Sequence, residues 1–138
     1  SFISISVAQD YCIANDLVLN EEKTTQLILG RRKADVSGPP NVQIVDSTKH
    51  LGIILDTCLS WNLHIDSLCL KLGSAIFALK RVNSVCTGKA VKMSYHALFE
   101  SHLRYGIILW GESSCQNMQR VFLMQKRAIR AMTFSLLS

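Results

Sequence analysis

Asn62-Leu63-His64-Ile65-Asp66-Ser67-Leu68-Cys69-Leu70-Lys71-Leu72-Gly73-Ser74-Ala75-Ile76-Phe77-Ala78-Leu79 decides how the chain folds, because here the apolar residues change period. Ile65, Leu68, Leu72, Ile76 and Leu79 recur every three or four positions, lining one face of a helix from about Asn62 to Asn83. Downstream the same period continues. Thr87 is placed to cap a second helix carrying Val91, Tyr95, Leu98, Phe99 and Leu103. Ser113 or Ser114 can cap a third, with a buried stripe of Met118, Val121, Phe122, Ala128, Ile129 and Met132. None of these amphipathic helices can bury its stripe alone, so the pattern predicts a three-helix bundle.

Upstream of Trp61 the signals are shorter. Ser4 to Asp16 places Ile5, Ala8, Cys12 and Ile13 at helical spacing, with Asn15 and Asp16 as stop signals. Leu17 to Leu19 leads into a polar turn at Asn20 to Thr24. Thr25 to Leu29 then reads as a strand ending at Gly30, and Arg31 to Pro40 as a loop. Asn41 to Val45 reads as a strand, Asp46 to Lys49 as a turn and Leu51 to Asp56 as another strand. The expected architecture is α+β: an N-terminal helix with small antiparallel strands over residues 1–60, then a helical bundle over 61–138.

The apolar fraction of 49% and charged fraction of 18% over 138 residues describe a globular chain rather than a disordered one. No apolar run reaches the roughly 18 residues that span a bilayer, so no membrane partner is expected. The start lacks a basic segment followed by a long apolar one, so no signal peptide is read there. The chain opens at Ser1, within what reads as a helix, as an excerpt would. Cys12, Cys58, Cys69, Cys86 and Cys115 form no C-x-x-C pair and are expected to be buried thiols in a reducing compartment. The four histidines have no ligand spacing, so no metal site is assigned.

Charge is divided unevenly. Residues 1–60 hold five Lys/Arg against seven Asp/Glu, a net of −2, while residues 61–138 hold ten against three, a net of +7. All of the excess positive charge therefore lies in the helical half, which points to an anionic partner such as nucleic acid. In the third helix, Arg120, Lys126, Arg127 and Arg130 fall within one arc of roughly 120° at 100° per residue. That arc reads equally as a phosphate-neutralising stripe or as an ordinary solvated face. Lys80-Arg81 and Arg104-Tyr105 add charge to the same half. No Gly-rich phosphate loop, G-x-S-x-G or H-E-x-x-H is present, and the adjacent acids Glu21-Glu22 read as a solvated turn.

Four segments, taken in order, carry a resemblance. Tyr11-Cys12-Ile13-Ala14-Asn15-Asp16-Leu17-Val18-Leu19-Asn20-Glu21-Glu22-Lys23-Thr24 is similar to W-x-x-x-N-x-L-x-L-N-x-x-K-T, with Tyr11 in place of tryptophan. Lys49-His50-Leu51-Gly52-Ile53-Ile54-Leu55-Asp56 resembles K-x-L-G-x-x-x-D, and Leu59 to Ile65 resembles L-x-W-x-x-H-I. Tyr105-Gly106 through Trp110-Gly111, with Gln125-Lys126-Arg127-Ala128-Ile129-Arg130, is similar to Y-G-x-x-x-W-G and Q-K-R-A-I-R. Together they resemble the post-catalytic region of non-LTR (LINE-type) retrotransposon reverse transcriptases, over nearly the whole chain.

The resemblance implies the end of a polymerase palm with its primer-grip hairpin (1–60) and a helical thumb (61–138). It implies a general-acid role for Lys23, acting on leaving pyrophosphate, and a primer grip at Leu51, Gly52 and Ile53. Gly52 would let the backbone approach the primer end. It implies nucleic-acid contacts at Arg120, Lys126, Arg127 and Arg130. The family's Tyr/Phe-Ala-Asp-Asp motif has no counterpart here. This chain would then bind no cofactor itself, although Mg²⁺ is expected for the full-length family enzyme. Expected partners are an RNA template with a DNA primer, or the RNA–DNA hybrid, and the remaining fingers and catalytic palm. The expected location is nuclear or cytoplasmic. The competing expectation is a catalytically inactive, transposon-derived helical module that binds protein through its apolar faces.

Overall fold

The computed structural model describes residues 2–30 and 42–133 and is α+β. The expected loop over Arg31 to Pro40, and Asn41 of the next strand, lie outside the described residues. In chain order the elements are α1 (Phe2–Ala14), a 3₁₀ turn (Glu21–Lys23), β1 (Thr25–Leu27), β2 (Gln43–Val45), β3 (Ser47–His50) and β4 (Ile53–Asp56). Then come α2 (Asn62–Val85), α3 (Gly88–Ser94), a π-helical segment (Tyr95–Glu100), α4 (Ser101–Arg104), α5 (Ile107–Trp110) and α6 (Cys115–Thr133). Two compact units result. The first runs to His50 and takes in Leu55–Leu59; the second comprises Leu51–Ile54 and the chain from Ser60 onward.

In the first unit α1 ends where the sequence puts its stop. Asp16 takes a left-handed backbone at φ 54°, which short polar side chains tolerate, and the Leu17 amide then reaches back to the Cys12 carbonyl at 2.8 Å. Little of α1 is covered: Cys12 is half-buried, while Ala8 and Ile13 are exposed. β1 and β2 pair in parallel, Thr25 opposite Gln43 and Leu27 opposite Val45. This corrects the antiparallel expectation. The fifteen residues between the strands are enough for the crossover that parallel pairing requires. The stretch read as a turn, Asp46 to Lys49, is instead mostly β3, and the reversal falls at Leu51-Gly52. With φ of 47° and 82°, those two residues make the two-residue turn that matches hairpin twist. Such a connection permits only an antiparallel pairing of β3 with β4.

In the second unit the predicted stripe of α2 is the core: Ile65, Leu72 and Leu79 are fully buried, and Leu68 and Ile76 nearly so. Phe99 and Trp110 join them from the following segments. α3, the π segment and α4 form one continuous helical rod, because Ser94, Tyr95, Glu100 and Ser101 all keep right-handed helical backbone. Thr87 sits at the N-cap in extended conformation, yet its side chain makes no capping hydrogen bond, contrary to expectation. Leu98, expected inside, is exposed, whereas Tyr95 stacks on buried Phe99 with ring centroids 5.4 Å apart. The wider π turn changes which positions share a face.

α2 and α6 run parallel. At their start the Asn117 Nδ2 donates to Asn62 Oδ1 (2.9 Å) and to the Ser60 carbonyl (3.4 Å); at their end the Asn83 Nδ2 donates to the carbonyls of Ala131 (2.8 Å) and Met132 (3.0 Å). Ser114 caps α6, its Oγ accepting from the Asn117 amide at 3.3 Å. The face of α6 that meets the core is Asn117, Val121, Ala128 and Ala131, with Met118 and Met124 partly covered. Phe122 and Ile129, assigned to the buried stripe from sequence, are exposed.

Candidate functional site

Between α2 and α6 lies a groove of about 730 Å³. Lys80 and Asn83 line it from α2, Arg127 and Arg130 from α6, along with Gly73, Ile76, Met124 and Ala131. The spacing explains the convergence. Lys80 and Asn83 are one helical turn apart, as are Arg127 and Arg130, so each helix offers two polar positions on the wall beside its buried stripe. Small residues at Gly73 and Ala131 keep that wall open, and an added Cβ at Gly73 would come within 3.7 Å of the Met124 Cε. One Arg127 guanidinium nitrogen approaches the Met124 sulfur at 3.8 Å. Among the described residues no carboxylate lines the groove.

The four basic residues singled out from sequence are therefore not equivalent. Arg127 and Arg130 enter the groove, joined by Lys80, which sequence marked only as added charge. Arg120 does not. Its guanidinium bonds the Asp66 carboxylate at 2.5 Å, a hydrogen bond that holds its pKa above the ordinary arginine value. Lys126 lies over the Phe122 ring, 4.4 Å from its centroid, a cation–π contact on the outer face of α6.

Leu51, Gly52 and Ile53 belong to the second unit and are fastened there. The Tyr105 hydroxyl donates to the Leu51 carbonyl, and the Leu51 side chain is exposed. Gly52 has φ +82°, and a Cβ there would meet the Tyr105 ring at 3.6 Å, so turn geometry is a sufficient reason for glycine. Ile53 is buried against Gly106, whose φ of +64° and whose absent Cβ (2.7 Å from the Ile53 Cδ1) both demand glycine. The Trp110 indole N–H donates to the Tyr105 carbonyl at 3.0 Å. The Tyr105-Gly106 to Trp110 motif thus fastens the Leu51-Gly52 turn to the helices.

Lys23 is exposed at the end of the 3₁₀ turn in the first unit. Asn20 organises that turn: its Oδ1 accepts from the Lys23 amide at 3.0 Å, and its carbonyl accepts from the Thr24 hydroxyl at 2.8 Å. The five cysteines are all unpaired, but none is fully buried, and Cys58, Cys86 and Cys115 are exposed, which corrects the expectation of buried thiols. Among the described residues no cluster of three His, Cys, Asp or Glu side chains could hold a metal ion. Among the described residues no helix is long and apolar enough to cross a membrane.

Sequence reasoning passed over two polar residues, Asn83 and Asn117, because asparagine in a helix carries no periodic signal. His64, which entered the sequence reading only through the L-x-W-x-x-H-I segment, is buried between Trp61 and Trp110 with ring centroids at 6.3 and 6.2 Å. Its Nδ1 accepts from the Ile54 amide at 3.4 Å. Burial, with Lys71 nearby, holds its pKa below the ordinary 6.5. No protein-family model, curated protein or solved structure matches the chain.

Proposed function

We propose that this chain is part of an RNA-directed DNA polymerase of the non-LTR retrotransposon class, contributing template–primer binding and not catalysis by itself. The observation that carries the reading is the convergence of Lys80, Arg127 and Arg130 on one groove that no carboxylate lines among the described residues. It is supported by the order of the four motif segments and by the net +7 of residues 61–138. Three cations along a groove suit the repeating phosphates of one strand of an RNA–DNA hybrid, held through backbone charge and shape rather than base identity. On this reading the remaining fingers and catalytic palm supply the metal-binding aspartates, and the polymerase works in the nucleus or cytoplasm. Lys23 is the general-acid candidate in the assembled enzyme, and Leu51, Gly52 and Ile53 form the primer grip.

Fluorescence anisotropy with a labelled RNA–DNA hybrid tests the proposal. The full chain should bind, and Arg127→Gln with Arg130→Gln should weaken binding by about tenfold or more, since charged contacts of this kind contribute about 1 kcal/mol each or more. No binding at low salt would sink it. A second reading, a helical protein-interaction module, is favoured by the exposed Leu70 and Phe77 on α2 and the almost fully exposed Ile108 on α5. It requires a chain that captures a protein partner and ignores the hybrid.

A further inference from the structure

We infer that Asn83 is a positioning residue of the basic groove: it covers the carbonyl oxygens at the end of α6 that would otherwise oppose a phosphodiester backbone. The inference rests on the nucleic-acid reading of the groove and goes one step into how the groove is made competent. A helix C-terminus is an awkward place to hold an anion, because its carbonyl oxygens carry partial negative charge. Because α2 and α6 run parallel, both C-terminal ends fall on the same side of the pair, and Lys80, Arg127 and Arg130 lie toward that side. The cations are therefore offset by the dipoles of the helices that carry them.

Asn83 lines the same groove one turn beyond Lys80, and its Nδ2 donates to both the Ala131 carbonyl (2.8 Å) and the Met132 carbonyl (3.0 Å). The Thr133 hydroxyl lies within hydrogen-bonding reach of the next two carbonyls back, Ile129 at 3.1 Å and Arg130 at 3.2 Å. Side-chain donors thus reach the carbonyls of Ala131 and Met132, both from a residue of the opposite helix, and one of Ile129 or Arg130 from the single Thr133 hydroxyl hydrogen. The same two bonds hold the last turn of α6 against α2, which fixes where Arg127 and Arg130 meet Lys80. Asn83 has both amide hydrogens committed to this task, so it shapes the site without contacting the phosphate.

Asn117 supplies the control. It makes a comparable pair of bonds from α6 to the start of α2, at the end away from the groove. A merely structural role for Asn83 would make Asn83→Leu and Asn117→Ala behave alike. Hybrid affinity of the full chain, measured below the unfolding transition of each variant, should fall about two- to fivefold in Asn83→Leu, the scale of a helix-end charge effect. It should stay unchanged in Asn117→Ala. Asn83→Ser, which keeps one donor, should lie between and serves if the leucine variant does not fold. In parallel, inorganic pyrophosphate should shift the Nε–H resonances of Arg127 and Arg130 in the parent chain, and less so in the Asn83 variants. Unchanged affinity in Asn83→Leu and Asn83→Ser, while Lys80→Gln and Arg127→Gln weaken binding, overturns the role of Asn83 and leaves the groove. If Lys80→Gln and Arg127→Gln also change nothing, the groove reading fails, and pyrophosphate-silent arginines then overturn the inference too.

Discussion

His64 is a titratable side chain placed where its charged form is unwelcome. Its Nδ1 accepts the Ile54 amide hydrogen, so its proton sits on Nε2, which has no protein partner among the described residues. Adding a second proton would set one N–H against another in a site between two tryptophans. The folded-state pKa lies below 6.5, first through burial and then through Lys71, whereas the unfolded chain takes up that proton at about 6.5. Below that value the unfolded state binds more protons. Stability is therefore full above pH 6.5 and falls as the pH drops from there toward the folded-state pKa. Urea unfolding at several pH values should show this decline, and His64→Phe should make it shallower while lowering stability at neutral pH. A His64→Phe profile as steep as the parent's would assign the effect to other groups. At Gly106 the prediction is steric. Gly106→Ala places a Cβ 2.7 Å from the Ile53 Cδ1 at a positive φ, and should cost about 1–3 kcal/mol in the same assay.

At the scale of elements, the parallel pairing of α2 with α6 is the feature on which the groove depends. Ala128 is fully buried where α6 meets the core. Ala128→Leu would have to displace α6 or force strained rotamers, and should destabilise the fold by about 1–3 kcal/mol. Ile129→Ala, next in sequence but on the exposed face, should change stability by less than about 0.5 kcal/mol. Equal effects at the two positions would mean that α6 is rotated from the orientation described. The contrast also shows how far sequence could reach. The stripe of α2 was legible because its five large aliphatic residues all face a core deep enough to hold them. The stripe of α6 was legible only in part: Met118, Val121 and Ala128 do face the core, but the contact face also takes Asn117 and Ala131, small or polar residues suited to close approach and interhelical hydrogen bonds. Its bulkier Phe122 and Ile129, which any hydrophobic pattern favours, face outward. β3 was read as a turn because Asp46, Ser47 and Thr48 are turn formers locally, and strand pairing overrode that preference. The π segment of Tyr95–Glu100 leaves no mark on a 3.6-residue pattern beyond the misplaced Leu98.

For the molecule as a whole, the question is how much of the basic charge is free to meet a polyanion. The helical half carries a net +7, and the sequence alone offered a single stripe of four cations on α6. The groove divides that stripe. Arg127 and Arg130 join Lys80, while Arg120 is neutralised by Asp66, so any phosphate it gained would leave Asp66 to take up a cation in exchange. Both side chains of that pair are substantially exposed, so it contributes no more than about 1 kcal/mol to stability, but it still cancels counterion release. Hybrid affinity should therefore fall with salt at a log–log slope of about −2 to −3, the value for roughly three neutralised phosphates. Arg130→Gln should flatten that slope by about 1, and Arg120→Gln should leave it nearly unchanged. Asp66→Asn, which frees Arg120, should steepen it. If Arg120→Gln flattens the slope as much as Arg130→Gln, the binding surface is the continuous outer stripe read from the sequence, and the groove between α2 and α6 is not where the backbone lies.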